Sequence, residues 1–185
     1  FYLLRDVTFG ADGATSMAAV QSRYDGELAN ELGNLASRTI AMVSRYRDGA
    51  VPGAEVDPGV AAEFADLTPR VRELIDRAEV TQALETIWRR VRRLNRFVEE
   101  QAPWQLAKDE ARAADLDRVL TTLVEGLRVV ATLLWPWLPQ SMDKLLDALG
   151  SPDRAVDDAR LEAGRVQQVT KLEPLFPKQL EQAPA

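Results

Sequence analysis

Asn34 and Arg38 stand one helical turn apart in a stretch patterned as helix. At about 100° per residue their side chains project within about 40° of each other. Both lie off the leucine stripe of that stretch. An Asn amide donates and accepts at once, and an Arg guanidinium offers a rigid fork of donors, so the pair has the chemistry to grip the edge of a nucleobase. On residue type alone the pattern favours a simpler reading, a solvated helix face. A second cluster lies further on, where Arg89, Arg90, Arg92, Arg93 and Arg96 crowd together with no acid among them. Arg89, Arg93 and Arg96 share a face, with Asn95 on the other margin of the apolar stripe. Such a face can hold phosphates or stack on bases. It serves equally well as a solvated surface answering Glu99, Glu100, Asp109 and Glu110. The third feature is Pro103-Trp104, a tryptophan held just past a helix end, where an indole face can meet an unstacked base. Packing into a core is the commoner fate of a tryptophan, and it is the reading for Trp88, Trp135 and Trp137.

Absences narrow the chemistry. The 185 residues include no Cys and no His. Disulfides, thiolate nucleophiles, Cys/His zinc sites and histidine bases are therefore excluded. No side chain requires a catalytic explanation. Gly10 and Gly13 bracket a turn, and without a following Lys-Ser/Thr they make no phosphate loop. Net charge is −6, the wrong sign for gripping nucleic acid by bulk electrostatics, though a local basic face remains compatible with it. No apolar run reaches the length of a membrane span. Arg5 and Asp6 interrupt the apolar start, so the opening does not read as a signal peptide. The expectation is a cytoplasmic protein. The chain opens on Phe1 and reads as a piece of something longer.

The elements that must position these residues are helices. Residues 1–15 read as an extended or looped connector, with Thr15 or Ser16 capping a helix from Met17. Asp25-Gly26 marks a kink or restart. Leu28, Leu32, Leu35, Thr39, Met42 and Tyr46 then form one stripe, ended by Asp48-Gly49. A helical stretch from Val60 to Arg77 is interrupted near Thr68-Pro69. The next helix runs from Glu79 to about Gln101, with Leu84, Ile87, Val91, Leu94 and Val98 inward, and Pro103 disfavours its continuation. A short turn follows from Trp104 to Lys108. A helix from Arg112 to Leu134 carries Leu116, Val119, Leu120, Leu123, Leu127, Val130 and Leu134. The last spans Gln140 to Leu149. About five amphipathic helices with short links imply an all-α bundle over 16–150. Residues 151–185 read as a charged, loose tail with an apolar anchor at Leu175-Phe176-Pro177.

In that order the segments resemble the methionine–tRNA ligases, class I synthetases. Phe1 to Asp6 with Phe9 to Gly13 looks like the stretch leaving that family's catalytic core. Asp25 to Thr39 is similar to its first anticodon-domain helix, with the pattern L-A-N-x-L-G-N-L-x-x-R. Asn95 to Lys108 matches N-x-(Y/F)-(I/V)-x-x-x-x-P-W-x-L-A-K. Trp137-Leu138-Pro139, Leu149-Gly150 and Leu175-Phe176-Pro177 look like its closing elements. The four motifs span nearly the whole chain.

The resemblance implies an anticodon-binding domain in which Asn34 and Arg38 hydrogen-bond an anticodon base and Trp104 stacks on one. Asn95 and Pro103 match positions that shape the same surface, with Arg89, Arg93 and Arg96 as further possible RNA contacts. The implied partners are methionine tRNA, through its CAU anticodon, and a catalytic domain in cis. The signatures HIGH and KMSKS are missing, so the aminoacylation site and its ATP belong to that catalytic domain. No cofactor or metal and no membrane are expected for this chain. Two alternatives stay open: a structural or protein-interaction bundle, and the equivalent domain of a sister synthetase for isoleucine, valine, leucine or cysteine. The Asn34/Arg38 pair together with Pro103-Trp104 argues for methionine.

Overall fold

The computed structural model describes residues 1–6, 15–151 and 154–177. The expected turn at Gly10–Gly13 and the end of the tail lie outside them. The α-helices among the described residues are, in chain order, α1 (Tyr2–Asp6), α2 (Met17–Arg23), α3 (Asn34–Arg47), α4 (Pro58–Phe64), α5 (Leu67–Asp76), α6 (Val80–Gln101), α7 (Pro103–Leu106), α8 (Ala113–Leu134) and α9 (Pro139–Ala148). Five of these, α3, α5, α6, α8 and α9, have ten residues or more, and they make the all-α bundle that the apolar periodicity implies.

Helix α8 is the centre. Nearly every side chain from Val119 to Leu134 is buried, because α3, α6, α7 and α9 all pack on it. Its expected inward stripe is sealed, and so is most of its other side. Helix α6 presents Leu84, Ile87, Val91, Leu94 and Val98 with no exposed surface. Each such side chain stabilises the fold by about 1.5–3 kcal/mol. Helices α6 and α8 come close at Gly126, where a Cβ would stand 2.7 Å from Cδ2 of Leu94. A side chain larger than hydrogen would require Leu94 to shift.

Three features depart from the sequence reading. Residues Tyr2–Asp6 form a short helix where extended or looped chain was expected, and Arg5 pins it by donating to Glu27 at 2.9 Å and Glu85 at 2.5 Å. Between α2 and α3 the helix does not restart at Asp25-Gly26. It continues as a wide π-helical stretch, Tyr24–Gly33, whose last bond runs from the Asn34 N–H to the carbonyl of Ala29. Beyond it the buried positions are Leu35, Ala36, Thr39, Ile40 and Val43. Met42 and Tyr46, assigned inward by a strict helical period, are only half-buried.

The third departure is the tail, which is held closely. Glu125 and Arg128 form an ion pair on α8 at 2.7 Å with neither side chain exposed. Arg128 also donates to the carbonyls of Asp158, at 2.9 Å, and Arg160. Glu125 accepts from the N–H groups of Arg165 and Val166 at 2.8 and 2.9 Å. An antiparallel bridge then joins Gln168 to Ala50. The anchor is seated too: Leu175 and Phe176 are buried, Phe176 meets Tyr24 edge-on, and the Tyr24 hydroxyl donates to the Pro177 carbonyl at 2.9 Å. Of the tryptophans, Trp88 is fully buried, while Trp135 and Trp137 pack half-buried at the edge of the core.

Candidate nucleic-acid interface

The N-terminus of α3 and the C-terminus of α6 meet through two ties. Arg38 donates from Nη2 to Oε1 of Glu99 at 2.6 Å. Three residues before Asn34, the Glu31 carbonyl accepts from Nδ2 of Asn95 at 3.1 Å. The same Asn95 nitrogen also bonds its own helix at the Val91 carbonyl, at 3.2 Å. The Glu31 carboxylate accepts from the indole N–H of Trp88 at 2.7 Å. Asn95 is thus half-buried and supports the surface from below, by fixing the carbonyl of the π stretch that leads into Asn34.

Asn34 itself is exposed, and its side chain has no hydrogen-bond partner among the described residues. Arg38 remains 43% exposed, so its fork is only partly used by Glu99. Both lie on α3 beyond the π stretch, and the 40° separation of their side chains therefore holds.

Trp104 follows Glu99 by little more than one turn. Helix α6 ends at Gln101 because Ala102 takes the left-handed conformation, φ 43° and ψ 60°. Its N–H caps the Val98 carbonyl at 3.0 Å. A non-glycine residue there carries some strain. Pro103, buried, opens α7 at the position where its missing N–H costs nothing. The result is a sharp turn that leaves Trp104 37% exposed while Pro103 and Leu106 face the core. Among the described residues Trp104 is one of five large apolar side chains that stand exposed, with Leu3, Leu4, Met17 and Ile75.

The arginines of α6 divide. Arg93 is only 14% exposed, tied to Glu63 at 2.7 Å and Glu100 at 3.2 Å, with its guanidinium over the Phe97 ring. Arg90 pairs with Asp66 and Arg92 with Glu85. Arg89 is exposed and has only a loose contact to Glu85, 3.7 Å away. Arg96 is exposed with no ion-pair partner among the described residues. Of the face expected from the sequence, Arg89 and Arg96 are available to a ligand and Arg93 is engaged in holding α6 to α4. The acids that answer the cluster come mostly from α4, the α4–α5 turn and α6 itself. Glu99 was expected among them and instead serves Arg38. No spacing rule could have assigned it, since the partner lies on another helix.

Among the described residues no three carboxylates converge as a metal site would require, and no helix is long and apolar enough to cross a membrane. The arrangement is suited to recognition: an exposed amide, a half-held guanidinium and an exposed indole around the junction of two helix ends.

Residues 50–178 match the family model described as the anticodon binding domain of methionyl tRNA ligase. The chain belongs to that family. It is 37% identical to the methionine–tRNA ligase of Caldanaerobacter subterraneus, over 96% of this chain and 29% of the relative. To that of Bacillus subtilis it is 36% identical, over 96% and 28%. The apo structure of Mycobacterium tuberculosis methionyl-tRNA synthetase superposes with a TM-score of 0.86 at 36% identity, covering 97% of this chain and 38% of that one. The chain therefore spans less than a third of the length of the curated relatives it matches. It corresponds to their anticodon-binding domain and not to their catalytic part.

Proposed function

We propose that this anticodon-binding domain reads the CAU anticodon of methionine tRNA for a ligase that joins methionine to that tRNA using ATP. Asn34 and Arg38 hydrogen-bond a base edge, and Trp104 stacks on a base. Asn95 and Pro103 shape the surface beneath them, while Arg89 and Arg96 contact phosphates at its margin. ATP, methionine and the acceptor end of the tRNA bind a catalytic domain in cis, and the whole enzyme works in the cytoplasm.

The observation that carries this reading is the Arg38–Glu99 contact at 2.6 Å, which sets the exposed end of α3 against the turn that presents Trp104. Unstacked bases of a loop are recognised by such a combination of stacking and edge hydrogen bonds, which needs little net charge. That removes the difficulty posed by a chain of net charge −6.

The test is a panel of anticodon hairpins for methionine, isoleucine, valine, leucine and cysteine, titrated at fixed salt. Preference for CAU supports the reading, as does its loss in Asn34→Ala and Arg38→Ala. Preference for a sister anticodon would reassign the domain, and uniform binding would reduce it to a structural bundle.

A further inference from the structure

Helix α3 is basic within an acidic chain. From Asn34 to Arg47 it carries three arginines and no carboxylate. Arg47 is tied to Asp117 at 2.7 Å and Arg38 to Glu99. Arg45 is exposed, lies against the ring of its neighbour Tyr46 at 5.8 Å, and has no carboxylate partner among the described residues. On the helical wheel Ala41 and Arg45 fall about 20° to either side of Asn34. Asn34, Arg38, Ala41 and Arg45 therefore run in one line down the exposed side of α3, over about 16 Å.

A groove of about 520 Å³ lies beside this line. Ser37, Ile40, Ser44 and Arg45 line it from α3, and Lys171 and Leu172 close it from the tail. Ile40 and Leu172 form an apolar floor, buried and half-buried. Two hydroxyls and two cations stand at the rim. Lys171 pairs with Glu173 at 2.8 Å, but both are highly exposed, so a phosphate can replace that contact at little cost.

We propose that this groove holds the sugar–phosphate backbone of the RNA strand continuing from the bases at Asn34 and Arg38, with Arg45 and Lys171 on its phosphates. Ser37 and Ser44 donate to ribose or phosphate oxygens, and Ile40 and Leu172 pack under the sugar. The inference rests on the proposed anticodon reading and extends it along α3. Charge complementarity and continuity with the Asn34/Arg38 surface favour an RNA strand over an apolar segment as the occupant. Phosphate contacts position the strand without reading sequence, so this groove adds affinity, and discrimination stays with Asn34, Arg38 and Trp104.

The test compares the chain with its Arg45→Ala/Lys171→Ala variant, using CAU and altered hairpins across a salt series. Both side chains are exposed, so the melting temperature should stay within a degree or two. The variant should bind both hairpins about tenfold more weakly at equal ratio. Its slope of log K against log salt should fall by roughly 1.4, since each contact to single-stranded phosphate contributes about 0.7. Arg45→Lys should retain the parent slope. Unchanged affinity and slope in the double variant would overturn the groove while leaving a Trp104-dependent CAU preference intact. A changed oligomeric state with unchanged RNA binding would assign the groove to a second copy and overturn the inference equally. If the parent chain shows no CAU preference, the anticodon reading fails and takes this inference with it.

Discussion

Arg38 reaches Glu99 across 2.6 Å and so joins the helix that presents Asn34 to the helix end that presents Trp104. Both partners are well exposed, at 43% and 61%. Such a pair contributes at most about 1 kcal/mol to stability, and its value lies in geometry. Glu99→Gln should leave thermal stability nearly unchanged. It should raise affinity for any hairpin, because a negative charge is removed beside the RNA, and lower the CAU preference about fivefold, the equivalent of one net hydrogen bond. An unchanged preference in paired titrations would show that Glu99 does not orient Arg38.

The approach of α6 to α8 at Gly126 makes a second expectation. Gly126→Ala would place a methyl 2.7 Å from Leu94 Cδ2, and overpacking of this kind costs about 1–3 kcal/mol. Adding Leu94→Val, which moves bulk off that contact, should recover part of the loss. Urea unfolding of the single and double variants checks it, and additive losses would mean the two side chains do not compete for the same space.

Glu125 and Arg128 hold the tail from a fully buried position on α8. Removing one partner of a buried pair leaves the other unanswered, which costs about 3–5 kcal/mol. Arg128→Met should therefore destabilise strongly and open residues 158–166 to protease. Replacing both residues with apolar ones should cost less than replacing Arg128 alone, though the carbonyls and N–H groups of the tail would still lose their partners. Limited proteolysis with a melting curve separates the two effects.

Much of this architecture was legible from apolar spacing, because α6 and α8 keep a regular period over many turns. The π stretch was not. Its wide turns are held by Asn95 and Trp88 reaching Glu31 from over fifty residues away, and no local pattern records such ties. The stripe of α3 was legible only in part: Leu35 and Thr39 go inward as expected, Ile40 and Val43 join them, and Met42 and Tyr46 pack at the edge of the core. Helix α1 was equally invisible, since five residues form no helix unaided and Arg5 must find Glu27 and Glu85. The order of the tail had one unread sign. Glu125 and Arg128 are the only charges between Val119 and Leu134, and a pair of opposite charges inside so apolar a run needs a buried task. At the recognition surface the residue types of Asn34, Arg38 and Trp104 were readable, whereas Glu99 as the partner of Arg38 required the fold.

Acid should loosen the N-terminal attachment. Burial pushes the Glu85 carboxyl up, but hydrogen bonds and charge from Arg5 and Arg92 outweigh it and hold the group below its ordinary value. A carboxyl whose folded pKa is depressed contributes stability above its unfolded pKa, near 4.5, and loses it as pH falls through the folded value. Melting temperature should therefore drop below about pH 4.5, and Glu85→Gln should be less stable at neutral pH with a shallower acid dependence. An acid profile identical in parent and variant would show that Glu85 contributes nothing to it.

Trp104 supplies the most direct test of the central claim. Hairpins bearing CAU, and CAU with its first base changed, are titrated at one salt concentration against the chain and its Trp104→Ala variant. The account predicts a clear preference for CAU by the parent chain. It predicts a loss of about 1–3 kcal/mol of binding in the variant, with melting temperature nearly kept because the indole is already 37% exposed. Equal binding of both hairpins by the parent chain, or undiminished CAU binding by Trp104→Ala, would contradict it.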